Sequence, residues 1–270
     1  MDIEVFKDEE FSKVYQDRMV PVSKKITNLV ISYLEEKKGR PFELAVDAGC
    51  GTGRSTRPLA EHFYKVIGID ISKSQINEAK RFTPQENVTY QVSPAEKMPF
   101  EDASVDLINA DVAAHWFPVD QFFLEVTRVL KNKGCLALHS LIPNFTIHYK
   151  NCSEILTNIF NEAIDTLCTF EEKPNNIMKS HYQEMFEALP FADKQRITDI
   201  TEVSHVSVAE LLGFLKSICM YRKFLNEDKD GAIAFAQHVE KRMGETMGEL
   251  SGDEILELHV KYFCILACKS

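Results

Sequence analysis

Between Pro41 and Ser140 short apolar runs alternate with amphipathic stretches, and that rhythm restricts the chain to strand-helix units closing a parallel sheet. Residues 44–47 (LAVD), 65–70 (KVIGID), 88–92 (VTYQV), 105–110 (VDLINA) and 134–140 (GCLALHS) read as five strands. Residues 54–63, 73–82 and 119–130 between them carry apolar side chains three and four apart, which suits helices lying on a sheet face. Right-handed crossovers then wind helices onto both faces. Upstream, 11–37 reads as one helix. Downstream, 144–192 reads as a helical insertion, 196–203 as a short strand, and 207–225 as a helix opening on the capping box Ser207-x-x-Glu210. A final strand at 260–268 predicts an antiparallel edge. The expected fold class is α/β: a Rossmann-like, doubly wound sheet of about seven strands, mostly parallel with an antiparallel C-terminal edge strand, plus a helical insertion.

Four parts are expected within one domain spanning 1–270: an N-terminal helical lid (1–40), a ligand-binding core (41–140), a helical substrate cap (141–195) and C-terminal strands and helices (196–270). Lys and Arg number 31 against 41 Asp and Glu, and the net charge of −10 repels a phosphate backbone, so nucleic acid is excluded as a partner. The acidic start MDIEVFKDEEF lacks the pattern of a secretory signal, and no apolar run approaches the ~20 residues of a bilayer span, so a cytoplasmic protein without membrane partners is expected. The seven cysteines are scattered without the paired spacing of a zinc site, so they read as reduced structural thiols and no metal is expected.

The chemistry concentrates where the first strand ends, in Val46-Asp47-Ala48-Gly49-Cys50-Gly51-Thr52-Gly53. Glycines at alternate positions allow tight turns and close approach of a ligand to bare backbone. A dinucleotide fold would use G-x-G-x-x-G here, and the third glycine comes one residue too early for it. Asp47 stands where a carboxylate could face a ligand ammonium. Asp70 closes the second strand in GIDIS, where a carboxylate can accept both hydroxyls of a ribose, and Ile71 beside it offers apolar cover for a purine.

Taken together, VDAGCGTGRST, GIDIS followed by Ser74-Gln75, SPAEKMPFEDASVDLINA and RVLKNKGCLAL resemble the class I S-adenosylmethionine-dependent methyltransferases, in particular the type 11 methyltransferase domain family. The resemblance covers about 42–140. It implies that S-adenosyl-L-methionine is the methyl donor, that Asp47, Ala48, Gly49 and Gly51 line its methionine moiety, and that Asp70 holds the ribose. Ile71 and Gln75 would flank the adenosine, Ser93, Ala95 and Glu96 would meet the adenine edge, and Asn109, Ala110 and Asp111 would pass beneath the donor. Ser93-Pro94 departs from the family, because proline removes a backbone donor.

The nearest likeness is to trans-aconitate methyltransferase-like proteins, through Asn109 followed six residues on by His115-Trp116-Phe117 and through the long insertion. Juvenile hormone acid and salicylic acid methyltransferases resemble the chain more remotely. By that likeness Trp116, the single Trp, and Gln16 would hold a substrate carboxylate. The acceptor is expected to be a small molecule, and a carboxylate already ionised at neutral pH needs no general base. An amine, phenol or thiol acceptor would need His115, the best-placed base in the sequence; His139 and His148 are weaker candidates. Tyr15, Met178, Tyr182, Met185 and Phe186 are candidates for lining the pocket, with Tyr221 and Arg222 at its rim. A module that binds the donor without turnover is the alternative. The chain is expected to be a monomer or weak dimer.

Overall fold

The computed structural model describes residues 4–20, 22–170, 180–248 and 254–270. Seven strands form one sheet: β1 (Leu44–Ala48), β2 (Lys65–Asp70), β3 (Val88–Val92), β4 (Val105–Asp111), β5 (Leu130–His148), β6 (Asp193–Ser207) and β7 (Ile255–Cys268), in the order β3-β2-β1-β4-β5-β7-β6. β1 runs parallel to both β2 and β4, β2 to β3, and β4 to β5. Between β5 and β7 the ladder is antiparallel, since Lys133 N–H donates to the Lys269 carbonyl and Lys269 N–H to that of Gly134. The expected mixed sheet is therefore present. The C-terminal strand, however, inserts between β5 and β6, so β6 is outermost. In an antiparallel hairpin either strand satisfies the alternation pattern, and only the pairing decides which one lies inside.

The helices are α1 (Glu4–Lys7), α2 (Glu9–Arg18), α3 (Lys24–Lys38), α4 (Lys73–Arg81), α5 (Val119–Val129), α6 (Ser153–Cys168), α7 (Gln183–Ala188), α8 (Val208–Ser217), α9 (Cys219–Glu227) and α10 (Lys229–Met247), with 3-10 turns at Arg57–Glu61 and Ala114–Trp116. Three expectations need correction. The single helix expected over 11–37 is two, because Ser23 caps α3 by accepting from the Ile26 N–H at 3.2 Å and so starts a new helix. The helix expected over 54–63 is only a 3-10 turn, preceded by a loop with three left-handed glycines and carrying Pro58, which has no N–H to give. The helix expected over 207–225 does open on the Ser207/Glu210 capping box, but it breaks at Ile218, which is extended with φ −81° and ψ 148°. β5 also runs to His148, into the expected insertion. Met178 lies outside the described residues.

The chain divides into two compact units. One comprises 22–141, 176–200 and 262–270 and contains β1 to β4. Its core is the near-continuous burial of parallel strands, Ala45, Val46, Val66, Ile69, Leu107 and Ile108 among them, under the apolar stripe Phe122, Phe123, Val126 and Val129 of α5. Its buried Asp106 ties strand ends together, accepting from the Glu43 and Leu44 N–H groups at 2.7 and 3.0 Å and pairing with Lys38 and Lys131. The other unit comprises 1–21, 142–175 and 201–261. Phe145 packs edge to face with both Phe160 and Phe214, and Asn161 clamps both backbone groups of Phe145.

Candidate donor site at the strand ends

β1 and β4 are adjacent while the chain continues outward from each in opposite directions, so a crevice opens beyond their carboxyl ends. The loop leaving β1 turns on Gly49, Gly51 and Gly53, with φ of 67°, 53° and 75°. At Gly49 the requirement is also steric: a Cβ would meet that of Ala113 at 2.6 Å and the Phe117 ring at 3.1 Å. The glycine loop thus lies against the two residues that bracket Ala114, His115 and Trp116.

Asp70 organises the other wall. Its carboxylate accepts from Gly51 N–H at 2.9 Å and Ser72 N–H at 2.8 Å, joining the β1 loop to the start of α4. Burial raises its pKa against those bonds. The Ile71 N–H also bonds to it, and a carboxylate, with about four lone-pair sites, retains acceptor capacity beyond these donors. Beside it Ile71 is 42% exposed, an apolar surface next to a carboxylate, and Gln75 is buried with its Oε1 beside Gly51. Ser93 N–H bonds to the Asp70 carbonyl at 3.0 Å, Ala95 is buried and Glu96 half-buried. The Thr52 hydroxyl is buried in the same loop without a partner among the described residues. These groups fit a nucleoside carrying a charged amino-acid tail.

Asp47 has a different setting from the one its position suggested. It is fully buried, and its oxygens are taken by the Thr56 hydroxyl at 2.6 Å and the Asn109 amide at 2.8 Å. Burial, opposed by those two hydrogen bonds, pushes its pKa up to about 6. Its charge therefore acts through the loop and Asn109. The chain continues: Asn109 Oδ1 stands 2.8 Å from His139 Nε2, and His139 Nδ1 is 3.0 Å from Asp111. A continuous polar chain thus links Asp47, Asn109, His139 and Asp111 across β1, β4 and β5. Ala110 is buried between these polar neighbours along β4. Sequence reasoning gave His139 only a minor role, because no local pattern joins it to Asn109 30 positions away, and missed Thr56, nine positions after Asp47.

On the other side of the glycine loop, His115 Nδ1 is 2.7 Å from the hydroxyl of Tyr182, and Trp116 packs tilted against His115 at 5.2 Å. Tyr182 is left-handed with φ 56°, fully buried, and edge-on to Phe263 at 4.8 Å. Tyr15 and Gln16 lie on α2 in the other unit, as does Arg222 on α9. Arg222 pairs with Asp8, whose carboxylate also caps α2 by accepting from Phe11 N–H at 3.0 Å.

An open sheet that reverses strand order at β1 and β4, with a glycine loop on one strand and a carboxylate on the next, defines an α/β protein that binds an adenosine-type ligand. Residues 46–138 match the family model described as a methyltransferase domain, and the sheet around them has the fold of a solved methyltransferase structure. A Dictyostelium discoideum protein described as a methyltransferase is 37% identical over 129 residues, 48% of this chain and 46% of its own. The O-methyltransferase resE of Aspergillus sclerotiorum is 24% identical over 243 residues, 87% and 78% of the two chains. A solved structure from Anaeromyxobacter dehalogenans described as a type II methyltransferase shares the fold, with TM-score 0.69, 21% identity and coverage of 89% and 95%. The chain spans about half the length of the first curated relatives it matches.

Proposed function

We propose that the protein transfers a methyl group from S-adenosyl-L-methionine to an oxygen of a small-molecule carboxylate. The single observation that carries the acceptor is the contact of His115 Nδ1 with the Tyr182 hydroxyl at 2.7 Å. Burial raises the Tyr182 pKa, so the phenol keeps its proton. With that proton donated to Nδ1, His115 carries its own on Nε2 and presents a donor, which suits an anionic oxygen and not the deprotonation of a phenol or amine.

Gly49 and Gly51 would receive the methionine part of the donor, with the Asp47 charge acting through their loop and Asn109; Asp70 would receive the ribose, and Ile71, Ser93, Ala95 and Glu96 the adenine. The donor supplies an electrophilic methyl on sulfur; as the carboxylate oxygen bonds to that carbon, the C–S pair stays on sulfur. What this chain contributes is position. The Gly49 loop packs on Ala113 and Phe117, and this fixes the donor side relative to His115 and Trp116. The relative named as an O-methyltransferase supports oxygen as the accepting atom. The test is transfer of labelled methyl to a panel of acids, amines, phenols and thiols. Turnover of acids, with a pH profile flat from about 6 to 8 in His115→Gln, is the expected result, because the nucleophile titrates near ~4. Turnover confined to phenols or amines, lost ~10²-fold in His115→Gln, would overturn it.

A further inference from the structure

Three of the eight histidines, His148, His205 and His259, come from the three neighbouring strands β5, β6 and β7. Along β7 the even positions Leu256, Leu258 and Val260 are buried, whereas Glu257 and His259 are partly exposed on the opposite face. The same alternation on β5 buries Phe145 and Ile147 and exposes His148. Glu257 Oε1 lies 2.6 Å from His259 Nε2, and the rings of His148 and His259 are 4.5 Å apart. One donor atom from each of His148, Glu257 and His259 lies within 4.8 Å of the others. All belong to the unit that contains 142–175 and 201–261.

We propose that His148, Glu257 and His259 form a binding site for a divalent first-row transition metal ion, for which zinc is the best match. Two imidazoles and a carboxylate are the donors such an ion prefers, whereas magnesium and calcium prefer oxygen sets. On a tetrahedral zinc, with bonds of about 2.0–2.2 Å, neighbouring donors sit about 3.3 Å apart. The 2.6 Å pair must therefore open slightly and the widest pair, at no more than 4.8 Å, must close, both within the reach of side-chain rotation from fixed strands. The ion sits between Glu257 and His259 and pins β5 to β7. His205 on β6 acts electrostatically on the same carboxylate.

The experiment is calorimetric titration of the chelator-treated full chain with zinc chloride, without methyl donor, so that its outcome is independent of methyl transfer. One saturable equivalent is expected. Loss of even an outer partner of a metal ligand typically lowers affinity 10–100-fold, so His148→Ala and His259→Ala should each weaken zinc by at least about tenfold. Both positions are on the partly exposed face, and circular dichroism of each variant verifies that it folds. Absence of a saturable equivalent, unchanged affinity in the His148→Ala/His259→Ala double variant, or displacement of zinc by equimolar magnesium would each overturn the proposal.

Discussion

Replacing Asp47 by Asn tests the buried polar chain, because it removes a charge without removing a hydrogen-bond partner. In the Asp47→Asn variant the new side-chain carbonyl still accepts from Asn109 and the new amide donates to the Thr56 hydroxyl. The native carboxyl has its pKa raised from 3.8 to about 6, chiefly by burial. The folded protein thus binds more protons than the unfolded chain between those values. Stability from this group is greatest below about pH 4, falls as pH rises to about 6, and is level above. At 1.36 kcal/mol per pH unit the separation amounts to about 3 kcal/mol at pH 8 and about half of that at pH 5. Asp47→Asn should therefore be more stable than the parent in urea denaturation at pH 8, by up to about 3 kcal/mol, with the advantage roughly halved at pH 5. The comparison with the parent cancels Asp8, Asp106 and Glu125, whose lowered pKa values act in the opposite direction. Calorimetry with S-adenosylhomocysteine should meanwhile show affinity reduced roughly tenfold, as lost charge-assisted interactions of ~1.5–3 kcal/mol imply. A stability difference that is the same at both pH values would refute the assignment of a buried, proton-linked carboxyl.

Asp70→Ala should fold yet bind S-adenosylhomocysteine roughly tenfold or more weakly by calorimetry, because the bridge from Gly51 to Ser72 disappears with the diol acceptor. Gly49→Ala places a Cβ 2.6 Å from that of Ala113 at a φ of 67°, so chemical denaturation should show a loss of about 1–3 kcal/mol. In Asp106→Asn the charge facing Lys38 and Lys131 is lost from a fully buried site, where burial alone would raise the carboxyl and these partners with the Leu44 and Glu43 N–H groups hold it down. About 2–4 kcal/mol of stability should go, with donor affinity unchanged in the folded fraction. Tyr182→Phe releases the Nδ1 of His115 from its donor; turnover should fall while S-adenosylhomocysteine binding stays within about twofold, as stopped-time assays and calorimetry will show.

The sequence by itself determined the parallel core and its glycine loop. The five runs between Pro41 and Ser140 became β1 to β5, because the burial of parallel strands on both faces writes an unbroken apolar signal. The glycines after β1 and Asp70 after β2 were legible for a related reason: a left-handed turn and a strand-end carboxylate are local requirements that only a few residue types meet. Tertiary structure alone decided the rest. That β7 lies inside β6 depends on its pairing with β5, a segment more than 100 residues away. The path from Asp47 through Asn109 and His139 to Asp111 crosses three strands, and His115 Nδ1 meets the hydroxyl of a tyrosine 67 positions away. The His148, Glu257 and His259 cluster joins strand ends over 100 positions apart. Hydrogen bonds and metal ligation depend on distances in space, and a sequence records spacing along the chain; the two coincide only within a turn, a cap or a single strand.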